Sequence, residues 1–251
     1  MQSPSSVHSV VGRSSRPAAE YEGNATMSTP STAADTAYDW ILRYVAALPW
    51  DEDVFLNEES LAQQAKVSRT PVREALLRLE VDGLIRRVPY RGTYVPAMSQ
   101  RDIDSIFEAR GLIEDWSVHR AIELRSDCEP LFRLIDEQRA VRDDPVAFNS
   151  LDLRFHGFIV GTGQNAILNE LYRTLRNRQL RLGVWAVLIR ENRTSKVIDE
   201  HLAIATAVHD GDLDAAVAAV RSHLASTISA IRSGVVGAPY QDADRSSRAA
   251  T

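Results

Sequence analysis

The stretch LAQQAKVSRTPVREALLRLEVDGLIRRVPYRGTYV, residues 61–95, decides the fold. Asn57, just ahead of it, can cap a short helix carrying Leu61 and Ala65. Ser68 is an N-cap residue for a second helix, and Pro71 falls in its first turn, where a missing N–H costs little. Val72, Leu76 and Leu79 recur at helical spacing to about Val81, and Gly83 stops the run. Leu84–Val88 and Thr93–Val95 then flank Pro89-Tyr90-Arg91-Gly92, which reads as a β-hairpin with a glycine-containing loop.

Working outward, Tyr38, Ile41, Leu42, Val45 and Leu48 define an earlier helix that Pro49 ends. Helix, short helix, turn, second helix and hairpin is the layout of a winged helix-turn-helix, placed here over residues 35–96. Such heads lay the second helix of the motif in the DNA major groove, its N-terminal residues nearest the base edges. Arg69 and Arg73 are four apart and share a face, Thr70 can bond a base or a phosphate, and Ser68 sits beside them. Arg91 beside Gly92 at the hairpin tip suits close approach to a phosphate or the minor groove. From Lys66 to Tyr94 there are seven basic residues against three acidic ones, inside a chain of net charge -5. A solvated basic face would explain the cluster alone; cluster, caps and hairpin together point to DNA.

Beyond Pro96 the pattern is helical. Ser99 with Asp102 three residues on resembles a capping box, and a long helix follows to about Leu124. Further helices are expected over roughly 130–142, 145–160, 166–189, 195–209 and 212–231, with Gly211-Asp212 as a stop and restart. About six helices with short connections, over residues 97–233, predict an antiparallel all-α bundle, so the chain as a whole is mainly α. Residues 1–34 and 234–251 are poor in periodic apolar positions and read as a disordered arm and tail.

The remaining composition excludes several classes. A lone cysteine, Cys128, rules out an intramolecular disulfide framework and a cysteine zinc cluster. No apolar stretch approaches the ~20 residues of a membrane span, and the N-terminus lacks a secretory apolar region, so the expected location is the cytoplasm. In the bundle, Asp152 and His156 stand at i, i+4; by spacing alone a helix-surface ion pair explains them as well as a metal site does. His201 and His223 lie on later helices among apolar residues, and convergence of all four on one cation is open. A set of imidazoles and one carboxylate suits Zn, Ni or Mn better than Ca or Mg. His119 and His209 fit that geometry less well, and His209 suits a helix C-terminus. Arg173, Arg176, Arg178 and Arg181 form a basic run, some of which could line the pocket while most are expected to be solvated.

The VSRTPVREAL run with the following DGL and RGTYV closely resembles the head of GntR-type bacterial regulators over about residues 34–96. That resemblance implies that Arg69, Thr70 and Arg73 contact operator DNA, with Arg91 and Gly92 acting at the wing. One position departs: relatives often carry an arginine where this chain has Glu59, which removes an expected DNA contact. The Asp152-x3-His156 pair, Glu200-His201, the HDGD turn and Ser222-His223-Leu224 resemble the FCD ligand-binding domain of the FadR subfamily in its shorter, VanR-like form. The resemblance implies metal ligands at Asp152, His156, His201 and His223. It implies also a homodimer on a pseudo-palindromic operator and a small effector, a carboxylate by the chemistry of an open metal position. Arg110 and Glu114 match another element of that domain; Arg110 suits an acidic effector or a structural ion pair. Two alternatives stay open: a metalloenzyme using the His/Asp-bound cation, and a metal-free regulator whose bundle serves only dimerisation.

Overall fold

The computed structural model describes residues 32–233, so the expected tail and, apart from residues 32–34, the expected arm lie outside the described residues. Helix α1 (Ala33–Ala47) begins inside the stretch read as arm, because Thr32 caps it, its hydroxyl accepting from the Asp35 amide. Helices α2 (Glu58–Gln64) and α3 (Arg69–Val81) form the expected pair, and Asn57 Oδ1 accepts from the Glu59 and Ser60 amides at the start of α2. Ser68 stands at the N-cap of α3 but makes no side-chain cap bond, contrary to expectation; its hydroxyl is left to solvent or a ligand.

Strands β2 (Arg86–Val88) and β3 (Gly92–Val95) make the predicted hairpin, with Tyr90 and Gly92 both at positive φ in the turn. A third strand, β1 (Val54–Leu56), was not expected. It pairs antiparallel with β3, Val54 opposite Val95 and Leu56 opposite Thr93, giving the order β1-β3-β2. Ile41, Val45, Val72, Leu76, Leu79, Ile85 and Val95 close the head around one apolar core. Each such side chain contributes roughly 1.5–3 kcal/mol by burial.

Six helices follow: α4 (Gln100–Glu123), α5 (Glu129–Ala140), α6 (Pro145–Thr162), α7 (Ala166–Leu188), α8 (Arg193–Asp210) and α9 (Leu213–Ser233). The Ser99–Asp102 capping box is present at α4. Gly211 closes α8 in the left-handed region at φ 74, and Asp212 restarts the chain by accepting from the Ala215 amide. Phe148, Phe155, Leu131, Ile135, Ile159, Leu182 and Ile204 fill the bundle core. Helices α6 and α7 approach so closely that a Cβ on Gly183 would stand 2.2 Å from Asn149 Oδ1.

Head and bundle share a packed junction. Ala46 of α1 meets Leu180 and Val184 of α7, with Leu42, Val146 and Leu153 around them. Arg181 of α7 donates to the backbone carbonyls of Pro96 (2.8 Å) and Pro49 (3.1 Å). This member of the basic run is buried, whereas Arg173, Arg176 and Arg178 are exposed as expected.

Candidate functional site

Two places concentrate chemistry. At the head, Ser68, Arg69, Thr70 and Arg73 all lie exposed on the first turns of α3, and Arg91 and Gly92 are exposed at the hairpin tip beside the fully exposed Tyr90. The apolar face of α3 is spent on the core, which fixes the opposite face, and these arginines, outward. Glu58 of α2 sits between the two arginines, 2.8 Å from Arg73 Nε and 3.8 Å from Arg69 Nη2. Exposed pairs of this kind hold side chains in place at a worth of roughly 0–1 kcal/mol, so a phosphate or a guanine edge can displace Glu58.

Inside the bundle, one ligand atom from each of Asp152, His156, His201 and His223 lies within 4.8 Å of every other. Helix α6 supplies Asp152 and His156 one turn apart, α8 supplies His201 and α9 supplies His223. All three imidazoles are buried, so Asp152 and His156 are not the surface pair that spacing alone allows. His156 Nε2 lies 3.1 Å from His223 Nε2; Asp152 Oδ1 lies 3.3 Å from His201 Nε2 and 3.9 Å from His156 Nε2. Ligand atoms about 2.0–2.1 Å from a single zinc-sized cation stand roughly 3.0–3.4 Å apart. Two of the separations, 3.1 and 3.3 Å, already match that span, and the set as a whole lies within 4.8 Å.

The opposite ring nitrogens are held as well. Gln138 Oε1 lies 2.8 Å from His201 Nδ1, and Glu200 Oε2 lies 2.9 Å from His223 Nδ1. Glu114 Oε2 lies 2.8 Å from His156 Nδ1, with an angle that departs from a straight hydrogen bond. Each partner favours a proton on Nδ1, which leaves the Nε2 lone pairs facing inward. Phe155 stacks on the His201 ring at 4.1 Å between centroids and fixes its plane. Burial, ahead of every neighbouring charge, pushes His201 down to about 3 and lowers His223, so both rings are neutral near pH 7. Burial alone would raise Asp152, yet the hydrogen bond with His201 and the imidazole charges hold it below the usual carboxylate range.

Around this cluster are two guanidinium groups. Arg110 Nε donates to Glu114 Oε1 at 2.8 Å, and Tyr172 donates to the same oxygen at 2.7 Å. Arg193 reaches Glu200 and donates to Thr227 Oγ1 at 2.6 Å. A cavity of about 20 Å³ lies between Arg110, Asp152, Gln179, Arg193 and His223, room for roughly one water. Arg110 Nη2, Arg193 Nε and both amide atoms of Gln179 are buried beside it without a hydrogen-bond partner among the described residues. Arg110 thus keeps a structural ion pair with one nitrogen and leaves another unpaired.

Sequence reasoning missed Gln138 and Gln179 and placed Glu200 only as a neighbour of His201. The signal for Gln138 was available: it continues the apolar face Leu131, Leu134, Ile135 of α5, where a polar residue needs a partner. His209 stands in the last turn of α8, at a helix C-terminus as expected, and its ring meets Phe132 edge-on at 5.9 Å. Cys128 is buried at the start of α5, away from the cluster, and burial pushes its thiol up.

Two family descriptions match the chain: "Bacterial regulatory proteins, gntR family" over residues 34–95 and "FCD domain" over residues 105–226. The Nta operon transcriptional regulator of Aminobacter aminovorans is 30% identical over 172 residues, covering 67% of this chain and 80% of the relative. The galactonate operon transcriptional repressor of Escherichia coli is 26% identical, covering 68% and 83%. The gluconate operon transcriptional repressor of Bacillus subtilis is 28% identical, covering 60% and 63%. Among solved structures, a GntR regulator from Rhodococcus sp. RHA1 superposes with a TM-score of 0.62 at 20% identity, covering 80% of this chain and 95% of that one. Escherichia coli McbR/YncC superposes with a TM-score of 0.57 at 20% identity, covering 80% and 98%. These structures share the fold, and the named relatives are transcription regulators rather than enzymes. With an exposed α3, a wing and a helical second half, the chain belongs to the gntR family of bacterial regulatory proteins, as a DNA-binding transcription regulator carrying an FCD domain.

Proposed function

We propose that this protein is a cytoplasmic, homodimeric repressor whose bundle holds one divalent transition metal and releases DNA when a small carboxylate binds beside it. Residues 35–96 form the DNA-binding part and residues 97–233 the sensing and dimerisation part. The observation that carries the reading is the buried convergence of Asp152, His156, His201 and His223, with His201 and His223 hydrogen-bonded from behind and His156 facing the Glu114 carboxylate. Imidazole nitrogens with one carboxylate oxygen select Zn, Ni or Mn, and with four protein ligands a metal that takes five or six ligands keeps a position beside the small cavity for a carboxylate oxygen. When bound, the metal supplies Lewis acidity and charge for holding an anion. Arg110 Nη2 and Gln179 supply unpaired donors for the same anion.

Charge favours an anionic ligand. With neutral imidazoles, the carboxylates Asp152, Glu114 and Glu200 outnumber the guanidinium groups of Arg110 and Arg193 by one. A divalent cation turns that deficit into an excess of one positive charge, which a single carboxylate neutralises in a buried setting. The cavity as described is smaller than a metabolite, so ligand entry must spread the helices around it, and that is the coupling to the head: the ligand favours one seating of the two heads over another. Relatives named as gluconate and galactonate operon repressors support the repressor sign, and both operons are named for sugar acids.

On DNA, Arg69, Thr70 and Arg73 read base edges in the major groove, Ser68 bonds a phosphate, and Arg91 with Gly92 follows the wing to the backbone or minor groove. Two heads related by a dimer axis require a pseudo-palindromic site. Glu59 replaces a customary arginine, so the operator differs from those of relatives. The test is a gel-shift titration on an operator selected in vitro, screening carboxylic acids. Release from the metal-loaded wild type, absent from a His156→Ala/His201→Ala variant that still binds operator, supports the proposal. Release of both proteins by the same acids overturns the metal's part in it.

A further inference from the structure

Apart from the His/Asp cluster, a polar cavity of about 210 Å³ lies between head and bundle. It is many times the roughly 10–15 Å³ that one water requires. Arg86 of β2 lines it from the head, Arg178 and Arg181 of α7 from the bundle, and Pro96, Ala97 and Asp102 from the connection. Arg178 and Arg181 are three apart and share a helix face.

Arg181 is the informative member. It is 3% exposed, its two terminal nitrogens are spent on the Pro96 and Pro49 carbonyls, and its Nε is buried without a partner among the described residues. Burial pushes its guanidinium down to about 10. Buried arginines elsewhere in the bundle are paired: Arg110 with Glu114 and Arg193 with Glu200. On the head, Arg87 pairs with Glu80, whereas its neighbour Arg86 has no ion pair among the described residues. The single acid on the wall, Asp102, is already engaged by Ser99 in the α4 capping box. Three cations against one occupied carboxylate leave an excess of two positive charges around a water-accessible space.

We propose that this junction is a second ligand site, taking a phosphate-class dianion, free or as a phosphomonoester, on Arg86, Arg178 and Arg181. Arg86 and Arg178 present guanidinium forks that match the oxygens of such an anion in pairs, Arg181 adds its Nε–H, and a charge of minus two balances the wall. An anion held there bridges β2 of the head to α7 of the bundle and so locks one seating of the head. The site is separate from the carboxylate pocket and stands whether or not a metal is bound there.

The test is calorimetric titration of inorganic phosphate into full-length protein stripped of metal, at constant ionic strength set with chloride. Saturable binding of one phosphate per chain is expected. Arg178→Ala and Arg86→Ala, both exposed and outside the fold's core, should each weaken it about tenfold or more, as loss of a charge-assisted hydrogen bond does. Arg181→Met should abolish it, and Arg110→Ala should leave it unchanged. A glycerol phosphomonoester that binds about tenfold tighter than phosphate marks a phosphorylated metabolite as the occupant; equal or weaker binding marks the free ion. Absence of saturable phosphate binding, or equal affinity in wild type, Arg178→Ala and Arg86→Ala, overturns the proposal. So does a loss confined to operator affinity in phosphate-free buffer, which would assign these arginines to the DNA backbone.

Discussion

Replacing Gln138 by leucine separates the fold from the metal centre. Gln138 is fully buried on α5, and its Oε1 lies 2.8 Å from His201 Nδ1 while its Nε2 has no partner among the described residues. The substitution strands one imidazole N–H, a cost of about 1–3 kcal/mol, and at the same time removes a stranded amide donor of similar cost. Leucine is close to glutamine in size, so the core face of α5 stays filled. Folding stability should therefore change by less than about 1.5 kcal/mol. Metal affinity should respond much more. Without an acceptor at Nδ1, His201 is free to carry its proton on Nε2, the atom aimed at Asp152 Oδ1. Loss of such an orienting partner costs about 10–100-fold in metal affinity, or roughly 1.4–2.7 kcal/mol. Competition of the purified variant with a chromophoric chelator reads the affinity, and a urea melt of the metal-free form reads the stability. Gln138→Glu, which keeps the acceptor and adds charge, should bind at least as tightly as wild type. A leucine variant that holds metal as tightly as wild type would refute the orienting role, and with it the tautomer assignment.

Three further outcomes are expected. Arg73→Ala should lose operator protection in footprints, with affinity down about tenfold to a hundredfold, while the thermal melt stays put because its pair with Glu58 is exposed. Gly183→Ala puts a Cβ 2.2 Å from Asn149 Oδ1 and should cost about 1–3 kcal/mol, a lower melting temperature by calorimetry. An unchanged melt would show Asn149 swinging aside. Metal-free protein should lose stability in acid: His201 titrates near 3 when folded but near 6.5 when unfolded, so the unfolded chain takes up the extra proton between those values. The stability is complete above about pH 6.5 and falls as the pH drops toward 3, by at most about 1.4 kcal/mol per pH unit for this group. Glu200, held at about 2 by its hydrogen bond with His223 against the opposing effect of burial, adds loss of the same sign below about 4.5. A urea midpoint that is flat from pH 7 to 4 in the presence of chelator would contradict this.

The head was legible because its signals are local. Asn57 and the Val72–Leu76–Leu79 stripe act within a few residues of chain, and the hairpin announces itself at Arg91-Gly92, whereas the Thr32 cap that starts α1 inside the expected arm was not read. Strand β1 was not legible: Val54-Phe55-Leu56 carries too short a pattern, and it is a strand only because β3, about 40 residues away, supplies its partners. In the bundle, the residue types of the four convergent groups were visible, but spacing within α6 could not distinguish a surface pair from a buried ligand set. That distinction comes from which face of α6 meets α8 and α9. The sequence could not say which member of the Arg173–Arg181 run leaves the solvent. The position of Arg181 on α7 turns it toward the carbonyls of Pro49 and Pro96, residues far off in sequence.

The central claim, a metal held by Asp152, His156, His201 and His223, is tested most directly by elemental analysis of purified protein. Wild type and the His156→Ala/His201→Ala variant would be equilibrated with Zn, Ni and Mn and then desalted. One equivalent of a divalent transition metal per wild-type chain, and almost none in the variant, is the expected result. Equal metal content in the two proteins, or none in either, would remove the site.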